Sequence, residues 1–327
     1  MAEFIATRRF QIGGVPLSLA LDDAASFLPL RASYRPYLHS AAGITAEPTE
    51  PIAVRGSVGS LPAWVQGLDR DVLYAPDGFW SAHRAQDRLV FACREPGGDS
   101  DGIWRVLIGD RAGTRWEIVT SPCPRFLAAR MAQDARVPDP LVFPAAELIL
   151  LNYLSTRSGA LLHACGVVDD DGRGYLFCGR SGAGKSTVAG VWDDPGTVLN
   201  DDRTLLRRTD AHGFRIHGTP WHGDFSRTDP RSAPLCGVFF LKQAPRHGFE
   251  RVCVESAHRQ LLTSWWLPLW DKSAGLLQTL ALCSRVAHDV PAFELSFRPD
   301  RTLCDTVRRA IASVGAPLRE PLERTCP

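Results

Sequence analysis

One stretch constrains the fold of this chain more than any other: CGRSGAGKSTVAGVWDDPGTVLNDD, residues 178–202. Gly179-Arg180-Ser181-Gly182-Ala183-Gly184-Lys185-Ser186 satisfies G-x-x-x-x-G-K-[ST] at every fixed position. Such a loop needs a strand to deliver it and a helix to leave it. The sequence supplies both: apolar YLFC runs into the loop, and a helix is expected from about Lys185 to Trp192, stopped by Pro195-Gly196. Glycines let backbone N–H groups turn inward around a phosphate, and the helix start adds unpaired N–H groups. Gly179 to Thr187 (Gly179, Arg180, Ser181, Gly182, Ala183, Gly184, Lys185, Ser186 and Thr187) are therefore expected to bind a nucleotide, ATP. Lys185 would bridge its β- and γ-phosphates, and the Ser186 hydroxyl would ligate Mg²⁺.

Sixteen residues after Lys185, Asp201 and Asp202 close the run TVLNDD. An apolar strand ending in acids suits the carboxyl edge of an open α/β sheet, where ligands bind. The helix between loop and strand is short, so the strand is expected to return directly beside the one that feeds the loop. One carboxylate can hold Mg²⁺. The other is one more than a simple Mg²⁺ site needs, and an Asp near a γ-phosphate can accept the proton of an attacking hydroxyl.

The surrounding pattern divides the chain. Residues 1–130 read as a β-rich domain: ATRRFQIGGVPLSLAL, DVLYAPDGFWSAH, DRLVFACREP and IWRVLIGDRAGTRWEIVTS are apolar or alternating runs broken by Gly, Pro and Asp. Asp77-Gly78 and Asp110 to Gly113 are expected turns, and SFLPLRASYRPYL a short helix cut by Pro36. The dispersed Trp64, Trp80, Trp104 and Trp116 fit sheet packing. Residues 131–160 form a helical connector with Pro144 in the first turn. In residues 161–315, LLHACGVVDDDGRGYLFCG reads as two strands joined by a turn at Asp169 to Gly172. TLLRRTDAHGFRIHG reads as a hairpin with His217 on the sheet surface, and LCGVFFLKQ and AFELSF as strands. ESAHRQLLTSWW, SAGLLQTLALCSRVAH and DRTLCDTVRRAIASVG read as helices. Residues 316–327 form a frayed tail. The fold class is thus α/β (α+β), a mixed-sheet loop-bearing core with a β-rich N-terminal domain.

The residues around the loop resemble the catalytic domain of HPr kinase/phosphorylase, which shares its core with phosphoenolpyruvate carboxykinases. The matching pieces are LLHACGVV with His163, GRSGAGKST, and LNDD, within about Leu161 to Leu241. The resemblance implies Asp201 as proton acceptor, Asp202 as metal or water ligand (or these two roles exchanged), and His163 near the transferred phosphoryl. Two features depart from the family: Arg180 stands where an acid is usual, and IHGTPWHGD occupies the place of an acid-arginine-glycine segment. The chain is more similar to divergent HPr-kinase-like proteins, some of which phosphorylate serine in lasso-peptide precursors. The implied activity is transfer of a γ-phosphoryl from ATP, with Mg²⁺, to a serine of a peptide or protein. A small-molecule hydroxyl kinase and an ATP-binding regulator without transfer are the alternatives, and oligomeric state is left open.

In GTPWHGD, Trp221 is a candidate pocket wall and His222 a candidate contact to phosphate or acceptor. Lys242, at a strand end, is a candidate phosphate neutraliser. TSWWLPLWDK suits a packed helix end or, alternatively, a peptide groove. The net charge of +1 argues against a broad nucleic-acid surface. No long apolar run suggests a signal peptide or a membrane span. Nine cysteines without CxxC pairs fit buried thiols in the cytoplasm.

Overall fold

The computed structural model describes residues 6–39, 50–76, 78–94, 102–122, 136–192, 198–209 and 213–315. The expected tail, Asp77 and the Pro195-Gly196 stop lie outside these residues. The chain divides into two compact units: Met1–Leu161 with Trp266–Leu282, and Leu162–Trp265 with Cys283–Pro327. Residues 266–282 thus group with the first unit although they follow the glycine-rich loop in sequence.

The first unit is built on one eight-stranded sheet. Its strands are β1 (Ala6–Ile12), β2 (Val15–Leu21), β3 (Ile52–Val58), β4 (Val72–Tyr74), β5 (Trp80–Ala85), β6 (Arg88–Arg94), β7 (Ile103–Gly109) and β8 (Arg115–Thr120), in the order β1-β2-β3-β8-β7-β6-β5-β4. The β2–β3 and β3–β8 pairs are parallel and the remainder antiparallel. Gly13 and Gly14 join β1 to β2 with φ of +61° and +74°, a conformation that glycine adopts at little cost. SFLPLRASYRPYL begins at the end of one 3₁₀ turn, Ala24–Ser26, and forms a second, Ala32–Tyr37, in place of the expected helix. Pro36 lies inside the second turn and cannot donate the N–H bond that an α-helix requires.

Helix α1 (Ala145–Ser155) is buried at all but one of its residues, as a segment without a polar face must be. The aromatic residues pack. The Trp270 ring lies 4.9 Å from that of Phe91 and 5.6 Å from that of Trp80, and its Nε1 donates to Asn152 Oδ1 at 3.1 Å. Trp265 and Trp270 are both buried, so these two rings of TSWWLPLWDK serve packing.

The second unit contains β9 (Gly159–Val168), β10 (Gly174–Cys178), α2 (Lys185–Val191), β11 (Val198–Asn200), β12 (Arg203–Thr209), β13 (Gly213–His217), β14 (Ser232–Gln243), β15 (Gly248–Arg251), α3 (Val254–Ser264), α4 (Gly275–Asp289), β16 (Ala292–Phe297) and α5 (Thr302–Ala312). Strand β9 begins in the first unit and α4 spans the division. The sheet order is β10-β9-β12-β13-β14-β16-β15, with β11 on β9 and an added β10–β14 pairing. Strand β14 serves two neighbours in turn. Its first residues pair with β13, and its later ones run parallel to both β10 and β16. The rings of Phe177, Phe239 and Phe293, one from each of β10, β14 and β16, stack at 5.3 and 5.4 Å. Trp192, Leu303 and Val307 complete that core. Stacking three adjacent parallel strands brings their carboxyl ends together at the glycine-rich loop.

One expectation is corrected here. The strand carrying the acids does not lie beside β10. Both edges of β10 are taken, one by its hairpin partner β9 and the other by β14. Strand β11 therefore docks one place further out, antiparallel to β9. A second correction concerns His217, which is buried, with no partner for Nε2 among the described residues. Burial, reinforced by the charges of Arg207 and Arg215, pushes its pKa down to about 3.

Candidate functional site

Loop 179–184 leaves the end of β10 and turns through Gly182 (φ +79°) and Gly184 (φ +106°) into α2. A Cβ on Gly184 would come within 2.5 Å of the Phe297 ring, so both backbone angle and space call for glycine there. Gln243, at the end of the neighbouring β14, donates from Nε2 to Gly182 O at 2.9 Å. Lys185 is buried, and its Nζ donates to Gly179 O at 3.0 Å and Arg180 O at 3.2 Å. Burial lowers its pKa, against the opposing pull of Asp202 and Asp201. Arg180, Ser181, Gly182 and Thr187 are exposed, while Gly179, Ala183, Gly184 and Ser186 are half-buried.

Strand β9 lies between the loop strand and the acids, and it carries His163. Cys178 of β10 pairs with Ala164, which puts His163 level with the start of the loop. On its other side, Ala164 N donates to Asp202 O at 3.1 Å. His163 Nε2 lies 3.1 Å from Asp202 Oδ1, and the Arg203 guanidinium pairs with the other oxygen, Oδ2. Burial raises the Asp202 pKa. The hydrogen bond from His163 and the charges of Arg203, His163 and Lys185 outweigh it, so the net shift is downward. An ionised carboxylate only accepts hydrogen bonds, so His163 Nε2 carries the proton between them.

Asp201 is held differently. It is 1% exposed, and its Oδ2 accepts the Ser186 hydroxyl at 2.7 Å and Phe225 N at 2.9 Å. Its Oδ1 accepts Gly223 N at 2.7 Å. The carboxylate at Ser186 is thus Asp201, while Asp202 is the one that meets His163. The two adjacent aspartates face different partners, as alternation at a strand end requires.

The GTPWHGD segment forms the wall of this site. A Cβ on Gly218 would fall 1.7 Å from Asp229 O, and one on Gly223 would fall 2.9 Å from Asp201 Oδ2. Trp221 is buried, and its carbonyl accepts Asn200 Nδ2 at 3.0 Å. His222 is exposed, with Nδ1 2.9 Å from Gly223 O. Lys242 is turned to Glu294 at 2.9 Å, a hydrogen bond that raises its pKa, while Gln243 beside it reaches the loop. Sequence reasoning missed Asn200, Gly223 and Gln243. Signals for the first two were present: an Asn immediately before paired acids, and a second glycine in a short turn.

Ser186 Oγ and the Asp201 carboxylate are a pair of hard oxygen donors, the type that Mg²⁺ takes when phosphates supply further ligands. Three of the roughly four lone-pair positions of Asp201 are used, which leaves one for a metal. Among the described residues, no group of three or more His, Cys, Asp or Glu side chains is arranged to hold a metal ion by itself. Among these residues, too, no helix is long and apolar enough to cross a membrane.

Two mixed sheets with few helices define an α+β protein whose candidate site gathers Lys185 and Ser186 from the start of α2, His163 from β9, and Asp201 and Asp202 just after β11. Residues 141–297 match the family model described as SynChlorMet cassette protein ScmC. The match covers the loop, the acid pair and the GTPWHGD segment. No curated protein matches the chain.

Proposed function

We propose that the second unit is an ATP- and Mg²⁺-dependent phosphotransferase that moves the γ-phosphoryl to a hydroxyl, a serine of a peptide or protein. The observation that carries this reading is the 2.7 Å bond between Ser186 and Asp201, with the His163–Asp202 pair beside it. A complete phosphate-loop motif with its serine already on a buried carboxylate has the oxygen set for a metal–nucleotide complex. A second, more accessible carboxylate stands next to it, held ionised by His163 and Arg203, and would take the proton.

The roles follow from accessibility. Asp201 is buried and triply hydrogen-bonded, which suits a metal carboxylate. Asp202 retains partial exposure and is kept ionised by its neighbours, which suits a base. This is the exchanged order among the two assignments that the resemblance implies. Bound Mg²⁺ would supply charge neutralisation at the phosphates. Lys185 would leave the loop carbonyls for the β- and γ-phosphates, and His163 would orient Asp202. The acceptor oxygen bonds the γ-phosphorus as that atom's bond to the β–γ bridging oxygen breaks. ADP leaves, and the hydroxyl proton passes to Asp202.

Incubation with γ-labelled ATP and candidate acceptors tests the reading. The matched family is described as a cassette protein, so peptides encoded beside the gene come first. Label on a serine, located by mass spectrometry, supports it. Label on a small hydroxylated metabolite shifts the reading to a small-molecule kinase. Tight ATP binding with no labelled acceptor favours a nucleotide-dependent regulator.

A further inference from the structure

Asn200 is the last residue of β11 and is fully buried, directly ahead of the acid pair. Its Oδ1 accepts Asp202 N and Arg203 N, each at 2.7 Å. Its Nδ2 donates to Thr219 O at 2.9 Å and Trp221 O at 3.0 Å, with Thr219 Oγ1 at 3.3 Å. A primary amide has two acceptor lone pairs and two donor hydrogens, and here all four are used. Asp lacks the donors, Gln is one carbon longer, and Ser or Thr has a single donor. The segment that Asn200 grips runs on to Gly223 and Phe225, whose N–H groups hold the Asp201 carboxylate. Thr219, itself buried, closes the clamp by donating to Arg203 O.

We infer that Asn200 is a positioning residue. Its amide fixes the backbone of Asp202 directly and the carboxylate of Asp201 through the 219–225 segment, so both acids keep their separate aims. The inference rests on the reading of Asp201 as metal carboxylate and Asp202 as base. A fully satisfied buried amide earns its conformational cost by specifying one arrangement, and supports of this kind typically change metal affinity by about 10–100-fold when removed.

The test uses the full chain and two readouts. Isothermal titration measures ATP affinity in EDTA and in Mg²⁺, and single-turnover assays measure transfer. Asn200→Ala is expected to keep its affinity in EDTA and its melting cooperativity. It should lose about tenfold or more of the Mg²⁺-dependent gain, with KM for ATP rising in step, and lose kcat as well. Should Asn200→Ala fail to fold, Thr219→Val removes the closing hydroxyl alone and should give a smaller loss of the same gain. If the wild type gains affinity with Mg²⁺ but labels no acceptor, and the variant still loses that gain, the inference stands while the phosphotransferase reading falls. A variant that keeps the full gain and full kcat overturns the inference. So does one whose affinity in EDTA falls in step with its melting temperature, or a wild type without any Mg²⁺-dependent gain.

Discussion

The Ser186 hydroxyl, in the first turn of α2, donates to the Asp201 carboxylate at 2.7 Å, although β9 lies between β10, which feeds the loop, and β11, which leads to Asp201. Asp202, the next residue, is turned instead to His163. Asp201→Asn should therefore abolish the Mg²⁺-dependent part of ATP affinity. It also sets an amide against the Gly223 and Phe225 N–H groups, at about 1–3 kcal/mol for a buried group left unsatisfied. Asp202→Asn should spare nucleotide affinity and slow transfer by about 10²–10⁴-fold. Calorimetry and single-turnover rates separate the two. Equal behaviour of the variants would refute the division of roles.

Lys185 is expected to be needed for turnover, with Lys185→Ala slowing transfer by about 10²–10³-fold, the usual cost of one preorganised donor. Loss of affinity without loss of rate at saturating ATP would limit the lysine to binding.

Gly223→Ala should keep the fold and damage the site. The added methyl would meet Asp201 Oδ2 at 2.9 Å and Asp202 Cβ at 3.1 Å, so the carboxylates must shift. A crystal structure with displaced acids and depressed turnover is the expected result. Wild-type turnover would mean that the acids tolerate the move.

His217 makes stability depend on pH. Its folded pKa, about 3, lies below the ordinary 6.5, so the unfolded chain binds the extra proton between these values. The contribution is complete above pH 6.5 and is lost as pH falls toward 3. Between pH 7.5 and pH 5 the loss is about 2 kcal/mol, which urea melts at the two pH values can read. His217→Phe should flatten this difference; an undiminished slope would assign it to other groups.

Lys242→Ala should leave transfer and melting temperature near wild type, because the ammonium is exposed and spent on Glu294. A large loss of turnover would return this lysine to the phosphates.

Much of the second unit was legible before its structure. The glycine-rich loop has a spacing that only a strand–loop–helix unit accommodates, and α2 begins at Lys185 as expected. The run VLN, the turn before Gly174 and the FFL strand carry local patterns that the fold keeps. His217 was misread because alternation along a strand says which residues share a face and not which face is covered. The turn of Lys242 toward Glu294 was not legible, because a strand-end position does not say which way a flexible side chain points.

By itself the sequence determined the local chemistry: the loop, its lysine and serine, a histidine on the strand before, and two acids on the strand after. Short-range sterics and hydrogen bonding set these, and both act within a few residues. Only the tertiary structure decided which acid meets Ser186, why β9 intervenes, and how Asn200 and Gly223 hold the pair. Those outcomes depend on which sheet edges were already filled and on contacts between residues far apart in sequence, such as Gly223 N on Asp201 and Gln243 on Gly182.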